Sequence, residues 1–270
     1  MDTSEGRYLL DDDAAEAPAR FAVLERRYDA HTRECLDRIG LAPGARCLEV
    51  GAGSGSVAAW MAERVGPGGS VLATDLKPAP ADGAPANLTV ARHDIVRDPP
   101  PEGGFDLAHA RLVLMHLPDR LTALANMVAA LRPGGALLIE DFALAFTPVL
   151  RSPGPEATAL FEEVHEAFVR VMAGAGADLR WAERSFAAAR ELGLADLRSA
   201  VFTETWEGGG EGIALHRVNI GQLRPRLLER GVAPERLERF ERLLQDPAFA
   251  VTSYSLVSVW GRRPAEGAES

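Results

Sequence analysis

Residues 48–56 read LEVGAGSGS, and this stretch decides the fold. An apolar, strand-forming run leads directly into three glycines at alternate positions, Gly51, Gly53 and Gly55. Glycine adopts positive φ without strain and lets the backbone approach a ligand closely. The stretch therefore predicts a buried strand that turns into a helix through a ligand-binding loop.

Helices and strands alternate on either side of this loop. An apolar stripe at steps of three and four residues predicts an amphipathic helix over 19–39. Glycine and proline then punctuate the predicted strands 46–50, 70–75, 88–92, 105–110 and 136–140 and the predicted helices 56–65 and 119–131. Strands that alternate with helices pair in parallel through right-handed crossovers. Residues 40–141 are therefore expected to form a doubly wound α/β sheet.

Beyond residue 141 the pattern becomes mainly helical. Helices are predicted near 156–173, 180–192, 215–230 and 234–244, and strands near 197–204 and 251–260. The expected organisation is a flexible N-terminal arm (1–17), a core (18–141), a helical cap or substrate region (142–195), C-terminal core strands (196–262) with a helical insertion near 213–246, and a tail (263–270).

The composition of the chain indicates which partners and which cellular compartment to expect. The 270 residues carry a formal net charge of -10 and only two cysteines. Nucleic-acid binding rests on lysine and arginine neutralising phosphates, so a nucleic-acid partner is not expected. No apolar run approaches the roughly 20 residues that span a bilayer, and the acidic start differs from a signal peptide. We expect a cytoplasmic monomer or homodimer without a disulfide framework or a membrane contact.

The spacing of the glycines points away from a dinucleotide. The dehydrogenase fingerprint is G-x-G-x-x-G, whereas here the glycines alternate. The acidic Glu49, two positions before Gly51, suits a cationic ligand better than a phosphate. Asp75 ends the second predicted strand, where a carboxylate can accept both hydroxyls of a ribose. A turn-capping role for Asp75 is the alternative.

These residues resemble motif I, E/D-x-G-x-G-x-G, of class I S-adenosylmethionine-dependent methyltransferases. Residues 110–118 (ARLVLMHLP) and 131–135 (LRPGG) are similar to bacterial small-molecule methyltransferases of natural-product, ubiquinone and menaquinone biosynthesis. The resemblance implies a Rossmann-like sheet of about seven mostly parallel strands with the last antiparallel, an N-terminal helix and helical cap insertions. It also implies S-adenosyl-L-methionine as cofactor, S-adenosyl-L-homocysteine as product and a small-molecule acceptor.

The same resemblance assigns the cofactor-binding residues. They are expected to be Glu49, Gly51, Ala52, Gly53, Gly55, Asp75, Leu76, Asp94, Ile95 and Arg111. Asp94 and Ile95 follow the third strand and would contact the adenine, unless Asp94 merely caps the strand end. Arg111 would contact the methionine moiety chiefly through its backbone.

His116 is the candidate catalytic residue, because it follows the fourth strand and histidine is the usual base near neutral pH. Its alternative is a packing role at a helix start. Only Glu140 and Asp141 are placed to ligate a metal, so no metal is predicted. His165, His216, Trp206 and Tyr254, with Trp181 and Phe186, are candidates to line an acceptor pocket or to form cap core.

Other reactions stay open at this point. An S-adenosylmethionine-binding enzyme of the same fold that catalyses a pericyclic reaction or a decarboxylation fits the same residues. A nucleotide-dependent dehydrogenase is disfavoured by the glycine spacing, and a non-catalytic binding partner by the intact glycine loop. The identity of the acceptor, and whether oxygen, nitrogen or carbon is methylated, do not follow from the sequence.

Overall fold

The computed structural model describes residues 17–78, 83–102 and 104–265. The predicted arm therefore lies outside the described residues except at its last position. The helices are α1 (Ala17–Ile39), α2 (Ser56–Val65), α3 (Arg120–Ala130), α4 (Pro155–Gly174), α5 (Trp181–Glu191), α6 (Ala214–Glu229) and α7 (Pro234–Leu243), with a 3₁₀ turn at Leu114–His116. The strands are β1 (Arg46–Val50), β2 (Ser70–Asp75), β3 (Leu88–Arg92), β4 (Phe105–Arg111), β5 (Leu131–Ala143), β6 (Val149–Arg151), β7 (Ala195–Phe202), β8 (Thr205–Glu207), β9 (Ala250–Thr252) and β10 (Ser255–Arg262).

Seven strands form one sheet in the order β3-β2-β1-β4-β5-β10-β7. The pairs β1–β2, β1–β4, β2–β3 and β4–β5 are parallel, and the last strand is antiparallel. This confirms the predicted Rossmann-like sheet. Since the four strands β1 to β4 run in one direction, their carboxyl ends meet at one edge, where open α/β sheets bind ligands.

The described chain divides into two compact units that are discontinuous in sequence. Within the described ranges, unit 1 comprises residues 17–27, 143–180 and 202–255, and unit 2 comprises residues 28–78, 83–102, 104–142, 181–201 and 256–265. Unit 2 contains most of the seven-stranded sheet. Unit 1 contains α4, α6 and α7 and the small antiparallel sheet β6-β9-β8.

The core of unit 2 follows from the apolar pattern of the sequence. Cys35, Leu36 and Ile39 of α1 pack with Met61 and Val65 of α2 in one buried cluster. The same cluster contains strand residues of the sheet. Residues three and four apart lie on one face of a helix, which explains why the stripe of α1 faces the sheet. This packing fixes the polar residues of α1 as well, among them Asp29 and Thr32.

Three features differ from the sequence-based expectation. β5 begins at Leu131, because Leu131 already pairs with Phe105 before a register shift leads to the pairing of Leu107 with Ala136. The predicted strand 251–260 is divided into β9 and β10. The three-residue strands β6 and β8 were not predicted. Within the described ranges, no helix combines the length and apolar character needed to cross a bilayer.

Candidate functional site

The glycine loop is fixed to the end of β2. The backbone amides of Gly51 and Ala52 both donate to the Thr74 carbonyl, at 2.8 and 3.0 Å. Gly51, Gly53 and Gly55 have φ values of 70°, 52° and 84°. These are left-handed conformations that favour glycine, so the alternating glycines are required by the path of the loop.

Gly51 also leaves no room for a side chain. A Cβ built there would lie 2.3 Å from Cγ2 of Val113, a residue that follows β4. At Gly55, which caps the start of α2, the same construction meets nothing within 4 Å. The first glycine is therefore required by close packing as well as by its φ value.

Asp75 is bound to the glycine loop by its carboxylate. Its Oδ2 accepts the Gly53 amide at 3.1 Å, and its Oδ1 accepts the Lys77 amide at 3.0 Å. The turn-capping role is thus present. Each carboxylate oxygen has a further lone pair, so the geometry leaves acceptors for the predicted ribose contact. The neighbouring Leu76 is half exposed.

Asp94 caps the turn after β3. Its Oδ1 accepts the Val96 and Arg97 amides at 2.9 and 3.2 Å, which is the alternative that the sequence left open. Ile95 is buried, and its carbonyl accepts from Asn126 Nδ2 at 2.8 Å. The predicted adenine contact of both residues stays a prediction.

Arg111 is tied to helix α1 by its side chain. Its guanidinium donates to Asp29 Oδ1 at 2.8 Å and to Thr32 Oγ1 at 3.0 Å. The side chain is engaged in this way, and the contact of the Arg111 backbone with the methionine moiety stays a prediction. The sequence assigned no role to Asp29, because its partner lies 82 positions away.

A buried ionic triad lies in unit 2 next to the first glycine. His109 Nδ1 is 2.6 Å from Glu49 Oε2, and His109 Nε2 is 3.2 Å from Glu140 Oε2. Burial alone would lower the pKa of His109, but Glu49 and Glu140 outweigh it and raise this pKa to about 9. Burial would raise the pKa of Glu140, but hydrogen bonding to His109 lowers it to about 2.

The triad extends to two hydroxyl groups. Thr32 Oγ1 donates to Glu140 Oε2 at 2.6 Å, and Ser258 Oγ donates to Glu140 Oε1 at 2.5 Å. Two carboxylates and one imidazolium leave one net negative charge. Glu49 is one member of this triad, and its predicted role in binding the cofactor stays a prediction. The sequence named Glu140 only as a possible metal ligand and gave Ser258 no role, because these contacts join separate strands.

Backbone strain marks the carboxyl end of β4. Leu112 has a φ of 58°, which is rare for a residue with a side chain. Its amide donates to the Glu140 carbonyl at 2.8 Å, and this bond holds the strained conformation. Strained non-glycine residues concentrate at functional sites. Leu112 directly precedes Val113, the residue that packs on Gly51.

His116 lies in the 3₁₀ turn that follows this strain. The turn is held by the Met115 amide, which donates to Asp141 Oδ1 at 3.3 Å. Burial raises the pKa of Asp141 to about 8, so this carboxyl group is largely protonated at neutral pH. His116 is half-buried. Its predicted role as base is untested by these contacts.

Unit 1 brings together four of the aromatic candidates. The ring of His216 lies 4.5 Å from that of Tyr254 and 5.5 Å from that of Trp206, and His165 lies 6.1 Å from Tyr254. Trp181 and Phe186 lie on α5, in unit 2. The cluster in unit 1 contains two histidines, and the role of all six candidates stays a prediction.

In the part of the chain that the structure describes, one group of side chains has the composition of a metal site. His31, Cys35 and Glu140 place ligand atoms within 4.8 Å of one another. Glu140 is already bound by His109, Thr32 and Ser258. Burial also raises the pKa of the Cys35 thiol to about 11, which opposes the thiolate that a metal requires. Metal-independent chemistry remains the prediction.

Comparison with curated proteins finds methyltransferases. Methyltransferase str3 of Strobilurus tenacellus is 37% identical over 122 residues, 44% of this chain and 44% of that protein. The ubiquinone/menaquinone biosynthesis C-methyltransferase UbiE of Bordetella parapertussis is 31% identical over 135 residues, 47% of this chain and 51% of that protein. The chain spans about half the length of these curated relatives.

Solved structures give the same fold. The phosphoethanolamine N-methyltransferase 2 of Haemonchus contortus, in complex with S-adenosyl-L-methionine, aligns with a TM-score of 0.55 at 16% identity, covering 96% of this chain and 60% of that one. A family model described as a methyltransferase domain matches residues 22–198. Because this match covers more than half of the sequence and includes the glycine loop, the chain belongs to the methyltransferase domain family.

Proposed function

We propose that the protein transfers a methyl group from S-adenosyl-L-methionine to a small-molecule acceptor and releases S-adenosyl-L-homocysteine. The observation that carries the proposal is the glycine loop, in which three glycines adopt left-handed conformations and the Gly53 amide donates to Asp75 at the carboxyl edge of a parallel sheet. The Haemonchus relative of the same fold is in complex with this cofactor.

The residues present fit the cofactor. Gly51 and Gly53 let the loop backbone approach it, and Asp75 offers carboxylate oxygens to the ribose. Asp94 and Ile95 would receive the adenine, and the backbone at Arg111 the methionine moiety. Ala52, Gly55 and Leu76 complete the lining. The net negative charge of the triad formed by Glu49, His109 and Glu140 favours a ligand that carries a positive charge.

When bound, the cofactor supplies a methyl group activated by a positively charged sulfur. The chain's own contribution is to bind, to orient and to exclude water, and orientation alone supplies on the order of 7–11 kcal/mol in model reactions. His116, held in its turn beside Asp141, is the candidate for accepting a proton from the acceptor. No metal takes part in this scheme.

The acceptor is proposed to be a small molecule of secondary metabolism. Similar proteins include a ubiquinone/menaquinone C-methyltransferase and the O-methyltransferase resE of Aspergillus sclerotiorum. The segments 142–195 and 213–246 would supply the acceptor contacts. A reducing cytoplasm is in keeping with Cys35 and Cys47, which are both free.

Calorimetric titration tests the cofactor assignment. We expect S-adenosyl-L-homocysteine to bind with micromolar affinity and NADH not to bind. Asp75→Ala should weaken the first affinity at least tenfold. The matched control is Asp106→Asn, because Asp106 binds Arg46 and Arg132 at the opposite, amino end of the strands. Binding of NADH alone would overturn the proposal, and following a labelled methyl group into product separates transfer from a non-methylating reaction.

A further inference from the structure

Helix α6 carries two buried polar side chains, His216 and Asn219, on one face. Among the described residues, neither His216 Nε2 nor Asn219 Oδ1 has a hydrogen-bond partner, although the two residues are only 1% and 5% exposed. They are three positions apart and therefore lie on one face of the helix. A buried donor or acceptor without a partner costs about 1–3 kcal/mol. Such a pair indicates a binding site for a polar group.

The neighbouring hydrogen bonds define what each atom offers. Burial raises the pKa of Tyr254, and a hydrogen bond between Asn219 and the Tyr254 hydroxyl opposes this rise, so the amide nitrogen of Asn219 is the donor. The Tyr254 hydroxyl then donates to His216 Nδ1 over 2.8 Å. Burial lowers the pKa of His216 well below its usual value, so the ring is neutral and its one proton is on Nε2. The unpartnered pair is one donor and one acceptor.

The surroundings of the pair are aromatic. The ring of His216 lies 5.2 Å from Phe161, 5.5 Å from Trp206 and 4.5 Å from Tyr254. A hydroxyl group on an aromatic ring both accepts and donates a hydrogen bond, and its ring packs edge-to-face or offset against other rings. A cation or an anion would be left without a counter-charge among these neutral groups.

We propose that unit 1 contains a binding site for a neutral, hydroxylated aromatic ring, whose hydroxyl accepts from His216 Nε2 and donates to Asn219 Oδ1. All residues of this site lie in unit 1, so the site does not depend on the proposed function. Because His216 and Asn219 are buried, the ring can reach them only if α6 moves. Pro225 lies inside α6 and cannot donate to the Gly221 carbonyl, which weakens the helix next to the pair.

Phenol and toluene form the matched probe pair, because they have similar shapes and differ in the hydroxyl group. Binding is measured on the full chain without S-adenosyl-L-methionine, by nitrogen chemical shifts of the histidine rings. We expect phenol to bind at least tenfold more tightly than toluene. Phenol should move the Nε2 signal of His216, and the free protein should show the Nε2–H tautomer.

Variants locate the contact. Asn219→Leu should reduce phenol affinity at least tenfold and leave toluene affinity unchanged, whereas Arg217→Leu, at an exposed position of the same helix, should change neither. Equal affinity of the wild-type protein for phenol and toluene, or no binding of either, would overturn the proposal even if Asn219→Leu does not fold. Failure of S-adenosyl-L-homocysteine to bind would reject the proposed function and leave this binding result standing.

Discussion

Gly51 is the residue at which the glycine loop tolerates no side chain. In Gly51→Ala the added Cβ clashes with Val113, and the alanine has to adopt a φ of 70°. Overpacking costs about 1–3 kcal/mol, and the left-handed conformation adds about 1–2 kcal/mol. We expect the free energy of unfolding, measured with urea, to fall by about 2–5 kcal/mol, with weaker cofactor binding.

Gly55→Ala is the matched control for this prediction. Its φ of 84° imposes the same conformational cost, but no atom lies within 4 Å of the added carbon. We expect it to lose only about 1–2 kcal/mol. Val113→Ala should recover part of the loss in the Gly51→Ala background. Equal effects of the two glycine substitutions would show that contact with Val113 is not the cause.

Single residues of the site divide into those that local sequence predicts and those that it does not. Glycine spacing predicted the left-handed loop, because conformational freedom is a property of the residue itself. The pairing of Arg111 with Asp29 was not predictable in the same way. It depends on how α1 packs on the sheet, and the two residues are 82 positions apart.

The turn after β4 depends on Asp141 at the end of β5. Because the pKa of Asp141 is raised to about 8, the folded protein keeps the proton over a range in which the unfolded chain has lost it. Its contribution to stability is therefore present below the unfolded value near 4 and declines as the pH rises towards 8. Asp141→Asn removes this penalty, since an amide does not ionise.

We expect Asp141→Asn to match the wild type near pH 4 and to be more stable at pH 8 by up to about 5 kcal/mol. Urea unfolding at a series of pH values measures this difference. Asp106→Asn is the control with the opposite sign, because hydrogen bonds from Arg46 and Arg132 outweigh burial and lower the pKa of Asp106. A less stable Asp141→Asn protein at pH 8 would contradict the prediction.

Elements with strong boundary signals were predicted to the residue. β1, α2, β2 and β3 have the bounds that glycine and proline punctuation indicated. β6, β8 and β9 have three residues each, and a strand of three residues is too short to show a hydrophobic periodicity. The extension of β5 to Leu131 depends on pairing with β4, which is a tertiary contact.

The buried triad and the two hydroxyl groups that bind it connect five elements of unit 2. Thr32 lies on α1, Glu49 on β1, His109 on β4, Glu140 on β5 and Ser258 on β10. Each is buried, so the ionic bonds among them are little screened by solvent. The sequence predicted the sheet but not this network, because no local pattern shows that separate strands place opposite charges together.

Removing the imidazolium should change how global stability depends on pH. The pKa of His109 is raised from 6.5 to about 9, so its stabilising contribution is complete below pH 6.5 and is lost as the pH rises through 9. His109→Gln keeps a hydrogen-bonding side chain without the charge. We expect its deficit in unfolding free energy to be about 3 kcal/mol larger at pH 7 than at pH 10.

Urea unfolding of the wild type and of His109→Gln at pH 7 and pH 10 measures this difference. Groups that titrate equally in the two proteins cancel in the comparison. His31→Gln is the control, because burial lowers the pKa of His31 and the wild type therefore loses that contribution as the pH falls below 6.5. The two substitutions should respond to pH in different ranges and with opposite sign. A deficit of His109→Gln that is the same at pH 7 and pH 10 would show that His109 is neutral in the folded protein, and the triad would then carry two negative charges instead of one.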